Sequence, residues 1–190
     1  ILRDGTLFSQ SSGELQFTDY GLSGPVVFEV SRDVCYGPGE WVAKLDFLPE
    51  ISVEELTTEL LRRTGTSLPM EELLTGILHN RLGRVLTKTA GIRKTKAAEL
   101  TESEVAEIAA TVKGLEVVLT EPMGVADAQV TAGGVMTKDF DPKTMESKLV
   151  PGLYACGEVL DIDGDCGGFN LQWAWSSGRL AGLHAGKDDK

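Results

Sequence analysis

The stretch VPGLYACGEVLDIDGDCGGFNLQWAWSSGRLAG, Val150 to Gly182, decides how this chain is read. Its apolar start, GLYACG, reads as a buried strand that stops at Gly157-Glu158, so the Glu158 carboxylate emerges at the strand's C-terminal edge. In open α/β sheets, ligands bind beyond that edge. The loop then reaches Gly167-Gly168, whose missing side chains let a flat ligand approach the backbone. A helix is expected at once, from about Asn170 to Ala185, and its free amides and positive dipole end favour electron-rich atoms. Ala174, Gly178 and Gly182 lie four apart and leave one helix face nearly bare. That face suits close packing on a sheet or on a cofactor. The same spacing also fits a plain, well-packed terminal helix with Trp173 and Trp175 in the core.

Other ligands can be tested by counting. Asp161, Asp163 and Asp165 alternate as in a calcium loop, but such a loop needs glycine sixth and glutamate twelfth. Those places hold Cys166 and Gln172, so calcium is not expected. His79 and His184 have no Cys or Asp at metal spacing, and no metal site is expected elsewhere. Cys156 and Cys166 are too far apart for the closely spaced dithiol of a redox pair, and packing is the expected role of both. Thr131 to Gly134 reads either as a border of substrate space or as a tight strand end. No residue can be named as a catalytic acid, base or nucleophile.

Composition narrows the class. The chain has 190 residues and a formal net charge of -11, a balance that repels a phosphate backbone or an anionic membrane. Nucleic acid and membrane are therefore not expected as partners. No apolar run approaches a membrane span, and no signal segment opens the chain. Ile1 in place of Met suggests a piece of a longer protein. Three scattered cysteines make no disulfide framework and suit a reducing cytoplasm.

The order of elements is β, then α, then β–α. Residues 1–50 read as strands, with GTLFSQSSGELQFTDYG, PVVFEVSRDV and WVAKLDFL rich in β-formers. Residues 51–114 read as a helical insertion. Ser52–Glu55 and Thr101–Glu104 are capping boxes, Leu100 and Val105 suit a hydrophobic staple, and Gly114 ends the last helix. Between them, Leu73, Leu74, Ile77, Leu78, Leu82, Val85 and Leu86 form one apolar stripe, predicting a single helix that carries His79. Residues 115–123 (LEVVLTEP and one more) return as a strand. Residues 124–190 supply the strand AQVTAGGVM, a turn, the strand LYACG and the final helix, with a polar tail from Lys187 to Lys190. The fold class expected is α+β: a β-barrel-like domain with a small inserted helical unit, followed by the last strand and helix of an α/β domain.

The Val150–Gly182 stretch closely resembles the C-terminal signature of a bacterial flavoprotein family, the BaiN/YhiN-like NAD(P)/FAD-dependent oxidoreductases. GELQFTDYGLSGPVVFEVSR, residues 13–32, resembles that family's barrel segment, and AQVTAGGV, residues 128–135, its glycine-pair strand. The resemblance implies an FAD-binding domain of the two-dinucleotide type, a barrel-like domain inserted in it, and a small helical unit. It implies that Glu158 hydrogen-bonds the ribityl chain and that the backbone of Gly168, Phe169, Asn170 and Leu171 meets the flavin's pyrimidine edge. Gly157 and Gly167 complete the cofactor-binding set. Two-electron reduction puts negative charge near flavin N1 and O2, where amides at a helix N-terminus would stabilise it.

One departure matters. The family's other half begins with G-x-G-x-x-G, which holds the ADP pyrophosphate, and no such motif is present. Gly37-Pro38-Gly39 sits in a loop with no helix pattern behind it. The chain thus reads as the C-terminal part of a cytoplasmic oxidoreductase that holds FAD only in the full-length protein. Its partners would be an N-terminal FAD-binding half of the same protein, NAD(P)H as donor and a small-molecule substrate. The alternative is a non-catalytic binding or scaffold module that recognises a protein partner.

Overall fold

Two short segments with special turns start the first unit. A computed structural model describes residues 1–35 and 38–186, so Gly37 of the Gly37-Pro38-Gly39 loop and the Lys187–Lys190 tail lie outside the described residues. The described chain divides into one unit of Ile1–Phe8 with Gly39–Thr120 and another of Ser9–Pro38 with Glu121–Lys190. The 1–50 stretch expected as one β-domain is therefore split between them.

In the first unit, β1 (Leu2–Arg3) and β2 (Thr6–Leu7) form a hairpin around Asp4-Gly5. Both turn residues have positive φ, 51° and 76°, the geometry of a two-residue turn that matches strand twist. Next come β3 (Gln16–Thr18), β4 (Gly21–Ser23) and α1 (Pro25–Val34), which belong to the second unit. The chain returns as β5 (Trp41–Leu45) and, much later, β6 (Leu115–Leu119). The four strands pair antiparallel in the order β2-β1-β5-β6, with Leu45 opposite Leu115. This sheet is open among the described residues, in place of the expected barrel. Trp41 is buried in it, with the Phe8 ring edge-on at 5.2 Å.

Helices α2 (Val53–Thr64), α3 (Asn80–Thr89) and α4 (Glu102–Gly114) complete the unit. Both expected capping boxes form, with Ser52 and Thr101 accepting from the amides of Glu55 and Glu104. Leu56, Leu60, Leu73, Leu86, Val105, Ile108 and Val112 are fully buried in one core. The single helix expected over 73–86 is broken. A 3-10 turn at Met70–Glu72 leads into Gly76, at φ 80°, and α3 starts only after His79. Leu73 and Leu74 enter the core from that turn, whereas Val85 is exposed. Lys113, at the end of α4, donates to the Leu48 and Ile51 carbonyls and pairs with Asp46 at 2.8 Å.

In the second unit, PVVFEVSRDV is helix α1 and not the strand its β-formers suggest. Pro25 at the first helical position supplies the right φ, and Gly24 at φ 100° turns the chain into it. A side chain at Gly24 would strike the Glu14 carbonyl at 2.8 Å, so only glycine fits. The strands expected at AQVTAGGVM and LYACG are isolated bridges, Val135 with Leu160 and Glu146 with Tyr154. An apolar run becomes a strand only where a neighbour pairs along its length, and each run finds one bridge. The last helix is α5 (Phe169–Ala185), within one residue of its expected start. Phe140, Met145, Leu160 and Ala181 form the buried centre of this unit. Among the described residues, no helix is long and apolar enough to cross a membrane.

Candidate cofactor site

Gly157 opens the site and is held from both sides by α5. Its N–H donates to Ser177 Oγ at 2.9 Å, and its carbonyl accepts from Trp173 Nε1 at 3.1 Å. The Ser177 hydroxyl donates in turn to the Trp173 carbonyl at 2.6 Å. Ser177 is 1% exposed, so this clamp is dry. Gly157 sits at φ 70°, where its glycine character removes the left-handed penalty, and a Cβ there would touch Ala174 at 3.7 Å. The bare face of α5 is thus spent on this turn: Gly178 faces Cys156 in the same way, at 3.8 Å. Trp173 packs against the unit's centre, but Trp175 is 67% exposed, so only one of the two tryptophans takes its expected core place.

Glu158 follows the clamped glycine and is exposed. Its Oε1 accepts from the Thr131 amide at 2.6 Å, which leaves the second carboxylate oxygen for another donor. The Thr131–Gly134 segment reads as a tight approach. A Cβ at Gly134 would lie 2.7 Å from the Val159 carbonyl and 2.8 Å from the Asp161 amide. Without it, Val135 N–H reaches the Val159 carbonyl and Asp161 N–H the Val135 carbonyl.

The loop from Asp161 to Gly168 is pinned at two points. Asp163 accepts a 2.7 Å ion pair from Arg32 at the end of α1. Asn170 accepts from the Gly164 amide at 2.8 Å and donates to its carbonyl at 2.9 Å. The Asn170 side chain therefore positions the loop, and only its backbone remains for a ligand. Gly167 and Gly168 then turn the chain at φ 130° and 92°. Gly168 is the N-cap of α5 and provides no side-chain hydrogen bond to the first-turn amides. No atom lies within 4 Å of where its Cβ would be.

Phe169 and Leu171 are 63% and 60% exposed at this helix start. Ala174, which touches Gly157, is about 8 Å along the axis from Phe169 by helical rise. Helix α5 so ties Gly157-Glu158 to the Gly167–Leu171 turn. An uncapped helix start, an open approach over Gly168, exposed apolar neighbours and one available carboxylate oxygen fit a flat, electron-rich ring on a hydroxylated chain. Among the described residues no group of His, Cys, Asp or Glu could hold a metal ion. Cys156 and Cys166 are both exposed and free, so the buried strand position expected for Cys156 is corrected. His79 is the exposed residue ahead of α3 and not part of a longer helix, and His184 Nδ1 lies 2.9 Å from the Leu180 carbonyl.

Sequence reasoning missed Ser177 and Arg32, and gave Trp173 a packing role without its bond to the Gly157 carbonyl. The available signal was a serine in the middle of a small-residue helix, one turn after a tryptophan.

Comparison with known proteins agrees with the signature. The family described as HI0933-like protein Rossmann domain matches residues 50–184. A 3-dehydro-bile acid delta(4,6)-reductase of Clostridium scindens is 37% identical over 187 residues, covering 94% of this chain and 45% of that protein. Ribosomal RNA dihydrouridine synthases of Escherichia coli and Haemophilus influenzae are 35% and 34% identical, covering 92% and 90% of this chain. They match over 42% and 41% of their own lengths, so the chain spans less than half of each of these relatives. On the family match and these identities, the chain belongs to the HI0933-like family of oxidoreductases, the BaiN/YhiN group.

Proposed function

We propose that this chain is the flavin-side C-terminal part of an FAD-dependent oxidoreductase that moves electrons between NAD(P)H and an organic substrate. The observation that carries the reading is the turn into α5. Gly168 is left-handed, uncapped and open above, while Asn170 and the Ser177–Trp173 clamp hold the flanking backbone still. Bound there, FAD would supply two-electron redox chemistry. The chain's own part is to orient and to tune. First-turn amides of α5 would meet the ring's electron-rich edge, and the free oxygen of Glu158 would accept from ribityl hydroxyls. Phe169 and Leu171 would cover apolar ring surface and exclude water.

The relatives' names support a narrower form. A delta(4,6)-reductase and a dihydrouridine synthase both add hydrogen across a carbon–carbon double bond, on a bile acid and on ribosomal RNA respectively. We infer the same reaction class here. The test is the full-length protein. It should purify with stoichiometric FAD, and NAD(P)H should bleach the oxidised flavin band under anaerobic conditions. A colourless full-length protein that takes up no added FAD overturns the reading and favours the non-catalytic module.

A further inference from the structure

We propose that Arg32 is a positioning residue of the cofactor site, acting through Asp163 to hold the loop that carries Gly167 and Gly168. The inference rests on the flavin reading above and adds to it a control from outside the signature stretch. Arg32 stands far ahead of that stretch in the sequence, in the last turn of α1.

Charge alone does not make such a pair matter. An exposed ion pair contributes little, because water screens it and two side chains must be ordered to form it. This pair differs at its acidic end. Arg32 Nη1 lies 2.7 Å from Asp163 Oδ2, and the Asp163 side chain is only 13% exposed against 51% for Arg32. The separation is that of a direct charge-assisted hydrogen bond, and a carboxylate so far withdrawn from water depends on its partner. The arginine end is itself anchored. Helix α1 starts at Gly24, where only a missing side chain lets the backbone pass the Glu14 carbonyl. The β3–β4 hairpin leads directly into it, with Gln16 paired to Ser23. Ser11 donates to Glu29, about one turn before Arg32. A cation in the last turn also suits the helix dipole.

What the pair controls follows from the loop's other ties. Asp161 N–H bonds to the Val135 carbonyl ahead of Asp163, and Gly164 exchanges two bonds with Asn170 after it. Asn170 belongs to α5, so its bonds fasten the loop only to the helix that the loop leads into. Arg32 fastens it to a separate element. Asp165, Cys166, Gly167 and Gly168 are all exposed beyond this point, and the two glycines bring no stiffness of their own. Fixing Asp163 therefore removes freedom from the turn on which the first-turn amides of α5 depend. Those amides act on a developing charge only at hydrogen-bond distance. A loosened turn binds FAD less well. It stabilises the reduced, negatively charged flavin still less, so the reduction potential falls.

A double-mutant cycle in the full-length protein tests this, with Arg32→Ala, Asp163→Asn and the two combined. For each protein the FAD Kd, flavin potential and melting temperature are measured, with hydrogen exchange over 161–168 in the apo-protein. Arg32→Ala should raise the Kd about fivefold, lower the potential and speed exchange in the loop. The combined variant should do no more than either single one, since both break the same link. Arg32→Lys should recover part of the affinity and of the potential. Arg32→Gln, which keeps much of the stem without the charge, should act like Arg32→Ala if the truncation does not fold. A merely structural role predicts a lower melting temperature with the potential unmoved. That pattern, unchanged loop exchange, or additive effects of Arg32→Ala and Asp163→Asn would each overturn the proposal. Native protein that takes up no FAD overturns the flavin reading and this proposal together. Native protein that holds FAD while the cycle fails overturns this proposal alone.

Discussion

Gly157 has no side chain, so everything that fixes it comes from α5. Ser177→Ala leaves a buried N–H without its acceptor, which costs about 1–3 kcal/mol. The urea midpoint should fall by the corresponding amount with an unchanged m-value; an unaltered midpoint would remove the clamp from the account. Glu158 tests the ligand instead. In the full-length protein, Glu158→Ala should weaken FAD binding about tenfold or more, since a hydrogen bond to a charged group contributes about 1.5–3 kcal/mol. Apo-protein titrated with FAD reads this directly, and an unchanged Kd rejects the ribityl role. The sequence marks the glycine pair as a close approach. In the structure Gly168 has a φ of 92°, a turn that needs glycine-like freedom, and the space above it is open. The roles of Asn170 and Ser177 were not legible. An amide bonding back six residues and a serine bonding back twenty depend on how the loop folds, which local pattern does not contain.

Elements were legible where their signal is local. Both capping boxes and the start of α5 lie where the sequence puts them, because a cap is decided within four residues. Helix α1 was misread because Val26, Val27, Phe28 and Val30 favour strands only when a sheet receives them. The apolar stripe at 73–86 was overread because a turn through Gly76 can deliver leucines to the same core as a continuous helix. Packing also sets an order of protection. Leu56, Leu60, Val105, Ile108 and Val112 are completely buried along α2 and α4, whereas α5 buries Ser177 and Ala181 alone. Hydrogen exchange should therefore be slower over 53–64 and 102–114 than over 169–185; the reverse order contradicts the division into units. On α2, bonds from Arg62 and Arg63 hold the Glu59 carboxyl down from 4.5 to about 2. A lowered folded pKa gives stability that is present above the ordinary value and lost as pH falls toward 2. The stability gap between the native chain and Glu59→Gln should be full at neutral pH and close between pH 4.5 and 2. A gap that stays constant with pH would show that the ion pair contributes nothing.

At the scale of the molecule, the family was legible because its signature is one unbroken stretch of 33 residues, Val150 to Gly182. The partition into units was not, since Ser9–Pro38 joins Glu121–Lys190 across more than eighty residues of intervening chain. Arg32 pairing with Asp163 is the visible tie, and neither residue announces the other. The barrel expectation is not confirmed, for a related reason: among the described residues, β1, β2, β5 and β6 pair into a sheet with edges at β2 and β6. The account's central claim is that the turn at Gly168 faces a flavin. Asparagine tolerates the left-handed region, so Gly168→Asn keeps the turn while placing a side chain in the open approach. Full-length apo-protein and this variant should be titrated with FAD while their melting temperatures are recorded. The account predicts a Kd raised about tenfold or more with nearly the same apo melting temperature, since one displaced contact of about 1.4 kcal/mol suffices for that change. Equal FAD affinity for the two proteins would contradict it.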